Sequence, residues 1–364
     1  METGIGHEGS QTTHLIDDLG EQQCVAIDPS TSQTSPPNAV SYGGRSYEAY
    51  PEEVDRQKYG HILSQIVLVN DDVQCYVNAT FLTIMWTHLM CGGFNVTSWG
   101  ELTTVFLGIV MDGQTTPLSL RRHAQLQSGF AQWQQLRGES STTQQDYGEF
   151  LHYFHSWICS RHVALTTSRR FITGDMIRTA EKSDAYAPIL LHADLWTDLP
   201  KPVSFQAVVD QWQQSNGMIQ ALDQASHIVC FQICRFQDTN EIDRTALAVD
   251  PHRVNLPCFT DSRLGIARIP YHIAALVHYS GNSRGGHYNC VIAHLDKYGE
   301  TTWLFHDDNC KPIGWKMIPE WFLYDVTHVW LIRGDKHQPW KPSIEGATSQ
   351  ESALATVLAQ FRDP

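Results

Sequence analysis

The sequence predicts an α+β fold, in which a helical first half precedes an antiparallel sheet. The first observation is the run Tyr76–Met90, which lacks Gly and Pro and places apolar residues at helical spacing before Cys91-Gly92-Gly93 ends it. The second is a pair of alternating segments, 289–295 and 302–305, on either side of turn-forming residues at 296–299. Because the helical and strand patterns are segregated along the chain, we expect helices packed against one sheet.

Further elements follow from composition and spacing. Residues 1–60 are polar and rich in Ser, Thr, Gln and Gly, which predicts a disordered arm. The helical pattern continues to about Cys159, and a sheet-rich section begins near Phe171. In order, we expect a Gln-rich helix at 125–136, a strand at 190–196, a helix at 205–212, a strand at 228–236 and strands within 271–333. The tail, 334–364, carries capping residues and an apolar stripe that predict a short amphipathic helix.

Composition and charge restrict the function. The chain has 364 residues, of which 42% are hydrophobic, so a large core can form. Its formal net charge of −14 argues against nucleic acid or an anionic membrane as the main partner and suits a partner with a basic face. No run approaches the ~20 apolar residues of a membrane-spanning helix. The nine cysteines are unevenly spaced and no N-terminal apolar signal run exists, which favours a reducing intracellular compartment, cytoplasmic or nuclear.

The C-terminal hairpin brings a histidine to an acid. In an antiparallel pair the register is fixed by the turn, so a turn over 296–299 places His287 opposite Asp307 or Asp308. Opposed Cβ atoms lie roughly 4.5–5.5 Å apart, which lets a carboxylate hold an imidazole in one tautomer and stabilise its protonated form. Adjacent strand residues face opposite sides, so only one of the two acids can address the ring directly.

Cys75 is the candidate nucleophile for that histidine. It stands at the start of the predicted helix, where the macrodipole and free backbone amides favour a thiolate. A buried structural cysteine is the common alternative, since free cysteines usually behave as small hydrophobes. The neighbouring histidine–carboxylate pair favours nucleophilic catalysis instead.

Five segments in chain order resemble the signatures of the ubiquitin-specific protease family, the papain-like cysteine deubiquitinases. They are Asn70 with Cys75-Tyr76-Val77-Asn78-Ala79, Gln144-Gln145-Asp146-Tyr147-Gly148-Glu149-Phe150-Leu151, the segment 228–236 ending in Arg-Phe, the segment 271–288 ending in Gly285-Gly286-His287-Tyr288, and the segment 303–308. The resemblance implies one catalytic domain over 61–333. It also implies a helical thumb packed on an antiparallel β palm, a short finger insertion near 171–227, and ubiquitin or a ubiquitin-like protein as partner.

The resemblance implies catalytic roles as well. Cys75 would attack the carbonyl at the modifier C-terminus, and His287 would take the thiol proton and later protonate the leaving amine. Asp307 matches the family's first acid and would orient His287, whereas Asp308 would do so instead or position water. Asn70 would donate its side-chain amide to the oxyanion, with a helix cap or turn as its alternative role.

Four further residues are implied in substrate binding. Asp146 and Glu149 match acidic positions of the second signature, which help to hold the basic tail of ubiquitin. Glu149 would otherwise belong to an ordinary solvated helix face. Gly286 and Tyr288 would line the channel for that tail, with Gly286 letting the substrate backbone pass close to the sheet. No cofactor is expected.

Several features depart from the family pattern. Asp71, Asp72 and Val73 fill a loop where the family usually has a glycine two or three residues before its cysteine, so this loop must be reshaped or strained. Acids beside the nucleophile oppose thiolate formation, because like charges repel. Leu82 stands where the family commonly has Gln, and the two Cys-x-x-Cys pairs of its zinc finger are absent.

We expect no structural zinc. Cys230 and Cys234 lie in the predicted strand 228–236, where a rise of ~3.3 Å per residue separates them by about 13 Å. Zinc ligands each lie only about 2.0–2.3 Å from the ion. Both cysteines therefore cannot bind one zinc ion while the strand persists, and we interpret them as small buried hydrophobes.

The function expected is thiol-dependent hydrolysis that releases ubiquitin, or a ubiquitin-like modifier, from its conjugates. Three alternatives remain open. An inactive relative that still binds ubiquitin is favoured by the acidic loop before Cys75 and opposed by the set of Cys, His and Asp. A transglutaminase also orders Cys, His and Asp, but residues 76–79 and the second signature speak against it. The third is a non-catalytic scaffold that uses its terminal arms and merely buries the thiol.

Overall fold

A computed structural model describes the chain in separate segments. They are residues 39–42, 45–48, 56–71, 73–91, 108–124, 126–137, 146–158, 169–173, 176–179, 188–215, 219–222, 226–236, 242–250, 253–259, 266–282, 285–295 and 300–334. Asp72, the turn 296–299 and the amphipathic helix predicted in the tail lie outside these segments.

The described helices lie mainly in the first half of the chain. Those with bounds at both ends are α1 (Arg56–Gln65), α2 (Cys75–Met90), α3 (Gln127–Arg137), α4 (Tyr147–Ile158), α5 (Phe205–Gln213) and the single-turn α6 (Glu320–Leu323), and residues 108–112 are helical as well. Helix α2 has the start and end that the sequence predicts, and α3 and α5 lie within one or two residues of their predicted bounds. In the part of the chain that the structure describes, we find no helix with the length and apolar character needed to cross a bilayer.

The described strands continue through the second half. They are β1 (Ala39–Tyr42), β2 (Arg45–Glu48), β3 (Arg169–Thr173), β4 (Met176–Thr179), β5 (Ile189–Leu191), β6 (Val203–Ser204), β7 (Ile219–Leu222), β8 (Ile228–Ile233), β9 (Leu247–Ala248), β10 (Val254–Phe259), β11 (Ile266–Asn282), β12 (Gly285–Leu295), β13 (Thr301–His306), β14 (Ile313–Trp315) and β15 (Val326–Arg333). Strands β1 and β2 and the start of α1 lie within residues 1–60, which the sequence predicts to be a disordered polar arm. The domain boundaries at residues 60 and 333 stay predictions.

One predicted strand is shorter than expected. The segment 190–196 is extended only at its start, in β5, and a 3₁₀ turn at Ala193–Leu195 follows. The turn closes because the Leu195 N–H donates to the His192 carbonyl over 3.0 Å, which an extended chain could not do. A strand prediction over the whole segment was therefore wrong beyond residue 191.

A large, mostly antiparallel sheet forms the second half of the fold. Its strands run in the order β14-β13-β12-β11-β10-β7-β3-β4, while β15 pairs with β11 and β8, and β5 pairs with β8. Of these pairs, β10–β7 and β5–β8 are parallel. The molecule is thus a mixed α/β structure with several helices on one main sheet, in agreement with the α+β prediction.

Helix α2 lies at the centre of the packing. All 16 of its residues are buried, because the helix contacts β11 and β12 on one side and α1 and α4 on the others. The sequence predicts a single apolar face, and the structure buries the entire circumference. The Trp86 indole N–H donates to the Ala293 carbonyl over 3.1 Å, which ties the helix to the sheet. The residue at its start, Cys75, is therefore held on a rigid support.

The buried His328 should make the fold sensitive to acid. Its ring lies 4.4 Å from that of Tyr147 and its Nδ1 lies 3.1 Å from the Thr327 hydroxyl, and burial lowers the pKa of His328 to about 3. An unfolded histidine titrates at about 6.5, so below that pH the unfolded state binds a proton that the folded state does not. The resulting loss of stability is roughly 1.4 kcal/mol per pH unit.

We therefore expect His328→Phe to flatten the pH dependence of stability. Between about pH 6.5 and about pH 5, the wild type should lose roughly 1.5–2 kcal/mol more unfolding free energy than the variant. Urea unfolding of both proteins at the two pH values measures this difference. Equal losses would mean that His328 is not kept neutral in the folded state.

Candidate active site

Cys75 occupies the first residue of α2, as the sequence predicts. The residue is only 2% exposed. The helix start is organised by Asn70, whose side-chain oxygen accepts a hydrogen bond of 2.6 Å from the Gln74 N–H. The Gln74 carbonyl then accepts the first helical bonds, from Val77 and Asn78. The thiol therefore lies beside the free amides at the positive end of the helix dipole, where a thiolate is stabilised.

His287 lies between two aspartates that approach different ring nitrogens. Its Nε2 is 2.5 Å from Asp307 Oδ1, and its Nδ1 is 3.9 Å from Asp308 Oδ2. The Cys75 thiol, a ring nitrogen of His287 and a carboxylate oxygen of Asp308 lie within 4.8 Å of one another. Because Asp307 engages Nε2, Nδ1 is the nitrogen that remains for the thiol. The structure thus brings together the cysteine, the histidine and both acids that the sequence singled out.

Hydrogen bonds shift the pKa values of His287 and Asp307 in opposite directions. The hydrogen bond to Asp307 and, second, the one with Cys75 raise the pKa of His287 to about 10, although burial acts in the opposite direction. Burial alone would raise the pKa of Asp307, but the hydrogen bond and charge of His287 outweigh it and hold that pKa below its usual value. At neutral pH the arrangement favours an imidazolium held against a carboxylate, with the thiol on its other side.

The hairpin register differs from the prediction. Cys290 lies opposite His306, whereas a turn over 296–299 would place residue 304 or 305 there. Leu295 pairs with Thr301, whereas the predicted turn would place residue 299 or 300 opposite Leu295. The ladder ends at His306, and Asp307 reaches His287 from beyond the paired region. The expected pair forms, but the two residues are not directly opposed.

Asp308 links the two halves of the site. Its carboxylate accepts hydrogen bonds of 2.8 Å from the Asn70 amide and 2.7 Å from the Asn78 amide. The side chain is only 8% exposed, and burial, opposed by the bond from Asn78, raises the pKa of Asp308. The Asp308 N–H in turn donates to Asp307 Oδ1 over 2.8 Å. Asp308 therefore fixes the acid-bearing turn against both the loop before Cys75 and helix α2.

Asn70 is engaged on both sides of its amide. Its oxygen accepts from the Gln74 N–H, and its nitrogen donates to Asp308. The backbone supports the same contact, since the Asn70 N–H donates to Asn309 Oδ1 over 3.2 Å and the Asn309 N–H donates to the Leu68 carbonyl over 2.8 Å. An amide nitrogen has two hydrogens. Asp308 takes one of these two hydrogens. The predicted hydrogen bond from Asn70 to an oxyanion therefore has to use the other amide hydrogen, or the bond to Asp308 has to break.

The sequence did not indicate Asn78 as part of the site. It lies one helical turn after Cys75, is 3% exposed and donates to both Asp308 and the Val69 carbonyl. Residues three apart share a helix face, so its spacing from Cys75 was the available signal. Its partner 230 residues away could not be read from spacing alone.

The loop before Cys75 is strained, as the missing glycine predicts. Val73 has a φ of 57°, in the left-handed region that β-branched residues rarely adopt. Asp71 forms an ion pair with Arg122, in which the Nε–Oδ2 distance is 3.1 Å, so one of the loop's negative charges has a cationic partner. Asp72 lies outside the described residues.

We expect Val73→Gly to stabilise the protein. A non-glycine residue in this region costs of order 1–3 kcal/mol, while glycine costs roughly 0.5–1 kcal/mol of additional chain entropy. The net gain in unfolding free energy should be about 1 kcal/mol, measured by urea denaturation. Val73→Ala is the matched control, since it removes the branched side chain but keeps the Cβ, and it should recover less. Destabilisation by Val73→Gly would show that the loop conformation is not strained.

Of the residues assigned to substrate binding, Tyr288 is buried and contacts Asp146, whereas Glu149 is exposed. The Tyr288 hydroxyl donates to Asp146 Oδ2 over 3.2 Å, and its ring lies 4.7 Å from that of Tyr279. Asp146 Oδ1 also accepts from the Glu149 N–H over 3.0 Å, so it caps α4, and the Glu149 side chain is exposed. Tyr288 is only 5% exposed, so little of its surface is open to a bound molecule.

Strand β11 packs so closely against position 286 that only a glycine fits there. A Cβ at this position would lie 2.5 Å from both the Ser280 carbonyl oxygen and the Tyr279 ring. Gly281 faces Gly286 across the β11–β12 pair. The two glycines thus let the strand that carries His287 pack closely under Tyr279, a reason that the sequence did not reveal.

A scan of the chain against protein-family models finds no match, and a search of curated proteins finds none either.

Proposed function

We propose that the chain is a cysteine-type deubiquitinase, a thiol hydrolase that cleaves ubiquitin or a ubiquitin-like modifier from its conjugates at the modifier C-terminus. The observation that carries the proposal is the convergence of Cys75, His287 and Asp307 from three separate parts of the sequence onto one site. A nucleophile, a base within reach of it and a group that orients the base are the parts that acyl transfer requires.

The chemistry follows from the charges of the site. The Cys75 sulfur attacks the carbonyl carbon of the modifier's last residue, and the oxyanion that forms lies beside the amides at the start of α2. His287 gives its proton to the leaving amine as the carbon–nitrogen bond breaks. Water, deprotonated by His287, then attacks the thioester, which frees the modifier and restores the thiol.

The fold is compatible with a papain-like arrangement of thumb and palm. The nucleophile lies on the central helix α2, and the histidine and acids lie on β12 and just after β13 of the antiparallel sheet. The site therefore forms where the helical and sheet parts of the chain meet. The net charge of −14 complements the basic tail that this family holds.

A second candidate is a relative that binds the modifier without cleaving it. Engagement of the Asn70 amide by Asp308 and Gln74 favours this candidate, because an oxyanion would have to share or displace those contacts. The backbone strain at Val73 also favours the non-cleaving relative, since it can hold the site in an unproductive geometry.

A panel of modifiers separates the two candidates. Ubiquitin and ubiquitin-like proteins, each joined through its C-terminus to a fluorogenic amine, would be incubated with the protein, and binding of each free modifier would be measured in parallel. Hydrolysis of at least one member supports the proposed enzyme. Binding without hydrolysis identifies the inactive relative, and the absence of both would contradict the proposal.

A further inference from the structure

The thiol, imidazole and second carboxylate of the site also match the ligand set of a metal ion. One atom each from Cys75, His287 and Asp308 lies within 4.8 Å of the other two. Two ligands at about 2.1 Å from a tetrahedral ion lie roughly 3.4 Å apart. The His287 Nδ1–Asp308 Oδ2 distance is already 3.9 Å. Side-chain movements of no more than about 1 Å would therefore close the three around one ion.

The surroundings of the three side chains resemble the outer shell of a metal site. Asp307 holds the distal nitrogen of His287 at 2.5 Å, the arrangement by which a carboxylate fixes the tautomer of a metal-binding histidine. Asn70 and Asn78 hold the two oxygens of Asp308. A carboxylate oxygen has two lone pairs, so Asp308 Oδ2 can keep its bond from Asn70 and bind an ion as well.

We propose that Cys75, His287 and Asp308 form a reversible binding site for a thiophilic divalent cation, of which Zn²⁺ is the type. A set of one sulfur, one nitrogen and one oxygen ligand suits zinc, and three protein ligands leave a fourth position for water. His287 is 36% exposed on its side chain, which gives the ion a path from solvent. This site differs from the structural zinc finger that the sequence argues against, because it uses none of the cysteines considered there.

Occupation of the site would switch the thiol off. The ion would bind the same sulfur and imidazole that acyl transfer uses, so metal binding and hydrolysis exclude each other. This consequence rests on the proposed function, but metal binding itself does not. Asp308 is then the residue that distinguishes the two activities, since it is a metal ligand and has no direct bond to His287 Nε2.

Cobalt and zinc titrations test the site. Co²⁺ added to the full chain under reducing, chelator-free conditions should give a thiolate-to-cobalt charge-transfer band that Zn²⁺ displaces. Cys75→Ser should abolish the band. Asp308→Asn should weaken Zn²⁺ affinity by at least roughly 10–100-fold, the loss that even outer-shell changes cause. Cys310→Ser, at an exposed cysteine three residues after Asp307, is the matched control and should leave the band and the affinity unchanged.

Two results would overturn the proposal. One is the absence of a charge-transfer band in the wild type, and the other is a band that survives in Cys75→Ser or disappears in Cys310→Ser. Cys75→Ala, probed in the same way, provides a second variant if the serine protein does not fold. Metal binding that depends on Cys75 in a protein that hydrolyses no modifier would refute the enzyme and keep the metal site. Hydrolysis that Zn²⁺ leaves unchanged would refute the metal site and keep the enzyme.

Discussion

Cys75→Ala should reduce hydrolysis of modifier conjugates to background, a loss of up to about 10⁶-fold in turnover if Cys75 is the nucleophile. The reason is that the Cys75 thiol lies in one cluster with His287 and Asp308 at the start of α2. The fold should survive, because alanine removes one buried sulfur atom, and the ring nitrogen of His287 that loses this partner belongs to a side chain that is 36% exposed to water. The expected change in unfolding free energy is about 1 kcal/mol. Turnover and urea unfolding, measured on the same preparation, separate the two effects.

An exposed cysteine supplies the control for this experiment. Cys310 lies three residues after Asp307, and its side chain is exposed. Cys310→Ser should therefore keep wild-type turnover. If Cys75→Ala retained turnover beyond a contaminating protease, the nucleophile would lie elsewhere and the proposed mechanism would fail.

Asp307→Asn should reduce turnover by roughly 10²–10⁴-fold while binding of the modifier changes little. The carboxylate holds the His287 imidazolium and its tautomer through Nε2, so its loss should impair the proton transfers of His287 rather than binding of the modifier. Loss of this carboxylate should also lower the pKa of His287 from about 10. Because the imidazolium is lost as pH rises through that pKa, the alkaline limb of the pH–rate profile should move to lower pH.

Asp308→Asn provides the comparison, with a milder expected defect. An asparagine there can still accept one of the hydrogen bonds from Asn70 and Asn78, so the turn keeps much of its attachment to α2. Turnover and modifier binding measured for both variants decide between the acids. A more severe turnover defect in Asp308→Asn than in Asp307→Asn would assign the orienting role to Asp308.

Local patterns were sufficient to predict the elements that carry the site. The start of α2 at Cys75 followed from an uninterrupted helical run, and the β12–β13 hairpin followed from alternation around a turn. Its register was wrong by one or two residues, since Cys290 lies opposite His306 rather than residue 304 or 305, and turn composition alone does not determine that shift.

The long-range contacts of the site could not be predicted in the same way. The bonds of Asp308 to Asn70 and Asn78 join residues more than 200 positions apart, and neither periodicity nor propensity encodes such pairs. The full burial of α2 has a similar origin, since α1 and α4 cover the side that a two-layer pattern would leave to solvent. By contrast, the positive φ of Val73 fits one of the two expectations for this loop, which were reshaping or strain, because the resembled family usually has a glycine there.

The most direct test is to map where a modifier reacts with the protein. Ubiquitin carrying an electrophile at its C-terminus would be incubated with the wild type, with His287→Ala and with Cys310→Ser, and the adduct would be located by peptide mass spectrometry. We expect one covalent adduct, on Cys75, that forms equally in Cys310→Ser and far more slowly in His287→Ala. An adduct on another cysteine, or none with any member of a modifier panel, would contradict the account.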